Sequence, residues 1–261
     1  MQGTPIVVHL RRALVLALLF AIGSSPRVGW TAEAALPRDR PLRAGFLIVD
    51  GVYNTELMAP WDVFQHTVYH SAPHPGIEVF TVAADEQPIT TAEGLKILPD
   101  YTFETAPKLD ILVVPSAEHS RDANRNDERL ITWVSETGRD ARFVVSLCWG
   151  AFILAEAGLL DGHACTTFPG DYQTFAEAFP ALDIRVNASF VHDGRVLTSQ
   201  GGTRSYDVAM YLIDLIYGER VAQGVGGGLL IDWPWSESAH PAYVTDIGTG
   251  SAVPLLGPDR P

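Results

Sequence analysis

From residue 43 onward the chain alternates between two hydrophobic rhythms: short continuous apolar runs, and stretches where apolar side chains recur every three or four positions. The first rhythm reads as buried strands and the second as amphipathic helices packed on them. Strands are expected over Ala44–Val49, which closes on the turn pair Asp50-Gly51, and over Ile77–Ala83, Ile111–Pro115 and Phe143–Leu147. Leu95–Leu98 with Tyr101–Phe103 reads as a small hairpin or edge pair, and His163–Thr167 as a short strand. Ile184–Thr198 reads as two strands turning at Asp193-Gly194. Helices fall between them at Glu56–Tyr69, Asn126–Thr137, Ala151–Leu160, Tyr172–Phe179 and Ser205–Tyr217. Strand–helix alternation implies right-handed crossovers, hence an α/β fold with a mostly parallel sheet covered on both faces. No repeat and no Pro/Gly/Ser-rich linker divides residues 35–218, which read as one domain. Beyond Gly218 the periodicity fades, and 219–261 reads as an irregular tail whose Trp233 and Trp235 pack on the domain or on a partner subunit.

Composition removes several function classes. The 261 residues are 47% apolar, enough for a full core, so disorder and low-complexity architectures are excluded. Two cysteines do not make a disulfide scaffold. Eighteen basic against 31 acidic residues argue against a nucleic-acid partner. At the N-terminus Arg11 and Arg12 precede the apolar run Ala13–Ile22, and Ala32-Glu33-Ala34 offers a small-x-small cleavage site. The run is about half the length that a bilayer span needs, so residues 1–34 are expected to be a signal peptide. The mature chain, with 15 basic and 30 acidic residues, would then be exported, periplasmic or secreted, and without a membrane anchor.

The sharpest chemical feature is Val144-Val145-Ser146-Leu147-Cys148-Trp149-Gly150-Ala151. A buried strand ends in small-x-Cys-x-Gly and a helix begins without a loop, the pattern of a nucleophile elbow. Small residues two before and two after the cysteine leave room for a strained backbone. The thiol falls at a helix N-terminus, where free N–H groups and the helix dipole favour a thiolate and could hold an oxyanion. Cys165 would lie roughly 10 Å from the active-site end of its strand, too far for a disulfide with Cys148, and reads as a buried apolar residue. Asp62, His66 and His70 recur every four residues but lack a fourth metal ligand, and Gly224–Gly228 has no strand before it to make a phosphate loop. No metal and no cofactor is expected.

The segment Ser146–Gly162, with Cys148, Gly150-Ala151 and Ala157-Gly158-Leu159-Leu160-Asp161-Gly162, resembles the ThiJ/PfpI family of the class I glutamine amidotransferase-like superfamily. Asp50-Gly51-Val52 with Glu56–Pro60, Val114-Pro115, Asp193–Thr198 and Asp207-Val208-Ala209 extend the resemblance over residues 43–218. It implies a flavodoxin-like three-layer sandwich, a homodimer, and a reactive elbow cysteine approached by a carboxylate from the first helix, the position of Glu56. A glutamate beside a thiolate must be protonated or must raise the thiol pKa, since two adjacent anions are costly. Phe168 and Gly201 are placed in the surrounding pocket.

The chain also departs from the family's pattern. Phe168 stands where hydrolytic members are similar in carrying a histidine, which puts peptidase or classical amidase activity in doubt. Trp149 follows the nucleophile where smaller or polar residues are frequent, and its bulk would narrow the pocket or shield the thiol. The loop after the third strand reads Ser116-Ala117-Glu118-His119-Ser120 instead of Gly-Gly. The backbone N–H groups of Ala117 and Trp149 are candidates for an oxyanion hole, and His119 is either a substitute imidazole or a surface histidine. Two function classes follow. One is a cysteine-dependent hydratase, hydrolase or glyoxalase-type lyase acting on a small isonitrile, amide or α-oxoaldehyde. The other is a thiol redox sensor or small-ligand-binding module without turnover.

Overall fold

A computed structural model describes residues 36–235 and 241–245. The expected signal peptide lies outside these residues. In chain order the elements begin β1 (Leu42–Leu47), α1 (Asn54–His70), β2 (Ile77–Ala83), β3 (Ile89–Thr90), β4 (Lys96–Ile97), β5 (Tyr101–Thr102) and β6 (Ile111–Val114). They continue with α2 (Glu128–Asp140), β7 (Phe143–Leu147), α3 (Gly150–Glu156), β8 (Ala164–Cys165), α4 (Tyr172–Ala178) and β9 (Asp183–Ile184). The last are β10 (Phe190–Asp193), β11 (Val196–Ser199), α5 (Ser205–Tyr217), α6 (Glu219–Leu229) and β12 (Ala242–Val244).

Among the described residues eight strands form one sheet in the order β12-β10-β11-β7-β6-β1-β2-β5, parallel throughout except for the β10–β11 hairpin. Strand side chains alternate between two apolar layers, as the two-residue period of a strand demands. Phe143, Val145 and Leu147 of β7 join Leu57 and Phe64 of α1 and Ile213 of α5 on one face. Val144 points to the other, among Leu130 of α2, Phe152 of α3 and Phe175 of α4. The result is the expected three-layer α/β sandwich. None of the helices among the described residues is long and apolar enough to cross a membrane.

Two local readings change. Leu95–Leu98 and Tyr101–Phe103 do not pair with each other: β4 pairs with β3 in a separate ribbon, and β5 adds to the sheet edge beside β2. The segment after Gly218 is not irregular. It folds as α6 and packs on α1 and α5. Its glycines hide the amphipathic rhythm but are needed for close approach: a Cβ on Gly224 would sit 2.7 Å from His70 Nδ1, and one on Gly228 3.0 Å from the His66 ring. Asp62, His66 and His70 thus serve a helix contact and an exposed helix face. Trp233 and Trp235 pack edge to face, 4.8 Å apart, against the α1/α5 layer.

Candidate active site

Register assembles the site. Val114 of β6 lies beside Ser146 of β7, and Ser146 beside Thr198 of β11, so three parallel strands end together. The residues that follow them, Ser116, Cys148 and Gly201-Gly202, therefore meet at the carboxyl edge of the sheet, where ligands bind in open α/β folds. The β1–α1 turn delivers Glu56 to the same point from the first turn of α1.

Cys148 has φ +52°, a left-handed conformation that a residue with a side chain adopts only under constraint. Three hydrogen bonds supply it. The Cys148 N–H donates to Ser199 O at 2.9 Å, while Thr167 Oγ1 and the Ala151 N–H donate to the Cys148 carbonyl at 2.9 and 3.3 Å. Gly150 is obligatory, because a Cβ there would lie 2.0 Å from the Val114 carbonyl oxygen. The elbow read from the sequence is present, with Gly201 pressed against it. A Cβ on Gly201, at φ +82°, would come within 2.4 Å of Cys148 Cβ and 2.6 Å of Glu56 Oε1.

Glu56 is buried and accepts three hydrogen bonds. Its Oε2 takes the Ser116 N–H at 3.0 Å and the Ser116 hydroxyl at 2.5 Å, and its Oε1 takes the Gly202 N–H at 3.1 Å. Three donors thus converge on this one carboxyl group. The thiol responds accordingly: burial, and then the Glu56 charge, push Cys148 well above the usual thiol range. The Ser116 hydroxyl and the Trp149 N–H favour the thiolate but do not overcome those two effects. The expected thiolate thus meets two opposing effects, burial and the adjacent Glu56, alongside the two donors that favour it. Helix α3, whose N-terminus stands behind the thiol, has seven residues.

Other expected site residues fall elsewhere. His119 is not brought to the thiol: its side chain is 60% exposed and lies 3.8 Å from Asp122 in its own loop. The Ala117 N–H is no oxyanion donor here, since it donates to Ser120 Oγ at 2.7 Å. Phe168 is 46% exposed on the surface, and its neighbour Thr167 makes the contact with the elbow. Trp149 does border the site. Its indole N–H donates to Asp171, and the Arg121 guanidinium covers its ring at 4.4 Å while donating to the other Asp171 oxygen at 3.1 Å. Among the described residues no group of three or more histidines, cysteines or acids is placed to hold a metal ion.

Ser116, Gly202, Thr167, Tyr53 and Asp171 are the residues that sequence reasoning missed as members of the site. Ser116 carried a signal, as the hydroxyl that replaces a glycine directly after the β6 strand end. Tyr53, the residue before α1, lies within electrostatic reach of Cys148, Glu56, Glu93 and Glu118, and burial followed by those charges raises its phenol.

Comparison with known proteins shows the family and the fold. A family model described as the DJ-1/PfpI family matches residues 42–215. An isonitrile hydratase from Pseudomonas putida is 32% identical over 183 residues, covering 70% of this chain and 75% of that protein. The HTH-type transcriptional regulator GbdR of Pseudomonas aeruginosa is 26% identical over 230 residues, 86% of this chain but only 60% of the regulator. The crystal structure of a ThiJ/PfpI family protein from Pseudomonas syringae superposes with a TM-score of 0.65 at 22% identity, covering 85% of this chain and 86% of that one, which supports the fold.

Proposed function

The chain belongs to the DJ-1/PfpI family, and from that premise we propose that it is an exported, cysteine-dependent enzyme that adds water to a small electrophile, with hydration of an isonitrile as the leading reaction. The observation that carries the reading is a buried thiol on a strained elbow beside a Glu56 carboxyl group held by three donors, with no imidazole brought to it among the described residues. Such a pair suits a substrate that must receive a proton as sulfur attacks. The Cys148 proton passes to Glu56, sulfur bonds to the terminal carbon of R–N≡C, and Glu56 returns the proton to that carbon. The product of this step is a thioimidate, R–N=CH–S–Cys148. Water adds across its C=N bond, and collapse expels the thiol with its proton to leave the formamide R–NH–CHO. The Trp149 N–H, directed at the sulfur, stabilises charge there as the S–C bond forms and breaks.

Incubation of the full chain with cyclohexyl isocyanide tests this, with formamide followed by NMR. Formamide is expected from the wild type, and a loss of at least about 1,000-fold in Cys148→Ala with the fold retained. Equal rates in the two proteins end the proposal. A ligand-binding module without turnover is the second reading, favoured by the 9% exposure of Cys148 and by the pinned indole next to it. It predicts saturable binding and no product from isonitriles, amides or α-oxoaldehydes. Export and a homodimeric state belong to the same proposal. They are checked by N-terminal sequencing of the mature protein, expected to begin near Ala35, and by light scattering of the eluted species.

A further inference from the structure

Three loops contribute one residue each to a cluster beside the elbow. Asp171, in the turn between β8 and α4, has a side chain only 10% exposed and receives one donor on each oxygen. The Trp149 indole N–H donates to Oδ2, and Arg121, from the loop between β6 and α2, donates to Oδ1 at 3.1 Å. The same guanidinium lies 4.4 Å over the Trp149 ring. Both outer loops are also fastened next to the reacting groups. The β6–α2 loop begins at Ser116, which donates twice to Glu56 Oε2. The segment that ends in Asp171 includes Thr167, whose hydroxyl donates to the Cys148 carbonyl at 2.9 Å. The Arg121–Asp171 ion pair therefore joins the two flanks of the elbow across the ring of the residue that follows Cys148. An unpaired indole would share its time among several rotamers; this one is held in a single orientation from its edge and from one face. Cys148 is only 9% exposed, although it stands at the open end of a strand.

We propose that Arg121 and Asp171 set the specificity of the site: by pinning Trp149 beside Cys148 they keep the approach to the thiol narrow, so that it admits electrophiles unbranched at the attacked carbon and rejects branched ones. The terminal carbon of a linear R–N≡C group meets this demand, because its bulk begins only beyond the nitrogen. An amide does not, since its attacked carbon already carries three substituents. The Arg121 charge is matched by Asp171, so this wall offers no free cation to draw in an anionic substrate. The inference rests on the reading of Cys148 as the reacting group and narrows the class of substrate that the group takes.

The test is the rate of Cys148 alkylation in the folded full chain by iodoacetamide and by 2-iodopropanamide, which adds one methyl group to the attacked carbon. Cys148→Ala subtracts the contribution of Cys165, and dividing each rate by that of free cysteine removes the intrinsic difference between the reagents. The wild type is expected to prefer iodoacetamide in this corrected ratio, and Arg121→Ala to lower the preference about tenfold. The Arg121 side chain is 45% exposed, so its loss should leave the fold intact. Trp149→Phe keeps a ring but loses the N–H bonded to Asp171, and should lower the preference in the same direction. A wild type that reacts with neither reagent, beside an Arg121→Ala protein that reacts, would support the proposal too. A wild type without preference, folded variants that keep it, or a thiol inert in all three proteins overturns it. Alkylation needs no turnover, so the two readings fail separately. A preference that collapses in a protein hydrating no isonitrile would retain this inference and remove the enzyme, whereas hydration with an unmoved preference would do the reverse.

Discussion

Two buried polar pairs in this molecule, Cys148–Glu56 at the edge of the sheet and His192–Tyr211 between β10 and α5, answer burial in the same way and differ in what surrounds them. Each titrating group is driven toward its neutral form: the thiol upward, and the imidazole down to about 4. His192 is closed on itself. Its two ring nitrogens lie 2.9 Å from the Tyr211 hydroxyl and 2.8 Å from the Gly194 carbonyl, so Nε2–H donates to the carbonyl and Nδ1 accepts from the phenol. Nothing in that network is short of a partner, and its proton has nowhere to go. At Cys148 the backbone is strained, a carboxylate stands next to the thiol, and the residue retains a small exposure to solvent. A shifted pKa therefore does not mark a site by itself. An adjacent acceptor, a constrained backbone and an opening do.

The largest expected effect tests whether the strain at the elbow is structurally enforced. Gly150→Ala would drive a methyl group into the Val114 carbonyl and should cost at least about 3 kcal/mol, read as a loss of denaturation midpoint, or prevent folding. Gly227→Ala is the control: it sits in α6 with nothing within 4 Å of the added Cβ, and should stabilise by about 0.5–1 kcal/mol through helix propensity. A Gly150→Ala protein as stable as the wild type would mean that the elbow relaxes freely, and the contrast between the two pairs would lose its backbone half.

The closed pair makes the next prediction. The unfolded chain protonates His192 near pH 6.5, whereas the folded chain does so only near 4. The unfolded state thus binds the extra proton first. The stability contributed by His192 is complete above about pH 6.5 and is lost as pH falls toward 4, by about 3 kcal/mol in total. Chemical denaturation at a series of pH values should show this slope. His192→Gln should be weaker than the wild type at pH 7 yet lose less on acidification. If both chains lose stability in parallel, His192 is not the closed pair described.

Much of this contrast is legible in the chain itself. Boundaries at Ile77–Ala83, Phe143–Leu147 and Ser205–Tyr217 agree with the structure, because continuous apolar runs and a full amphipathic face leave little ambiguity. Helix α6 is not legible, because its glycines serve a close contact with His66 and His70 that exists only in three dimensions. The elbow, Glu56 and Gly201 are readable from spacing and family resemblance. The direction of the thiol shift is not, since it turns on burial and on the nearness of Glu56, which exist only in three dimensions. His119 and the Ala117 N–H fail for a related reason: local contacts with Asp122 and Ser120 within one loop decide where they point.

The smallest expected shift is the most discriminating. Glu56→Gln removes the charge that stands second among the causes raising the thiol, so Cys148 should be alkylated a few-fold faster at a given pH near neutrality. Burial, the first cause, remains, so the thiol stays above its ordinary range. Turnover should move the opposite way and fall by about 100-fold or more, because the amide cannot accept the thiol proton or return it to carbon. The introduced amide can still accept from Ser116 or Gly202 through its single oxygen, which keeps the side chain in place. A thiol that becomes more reactive in an enzyme that becomes slower is the signature of a proton-transfer partner. If both rates fall together, Glu56 is a structural partner, as Tyr211 is for His192, and the distinction between the two pairs disappears.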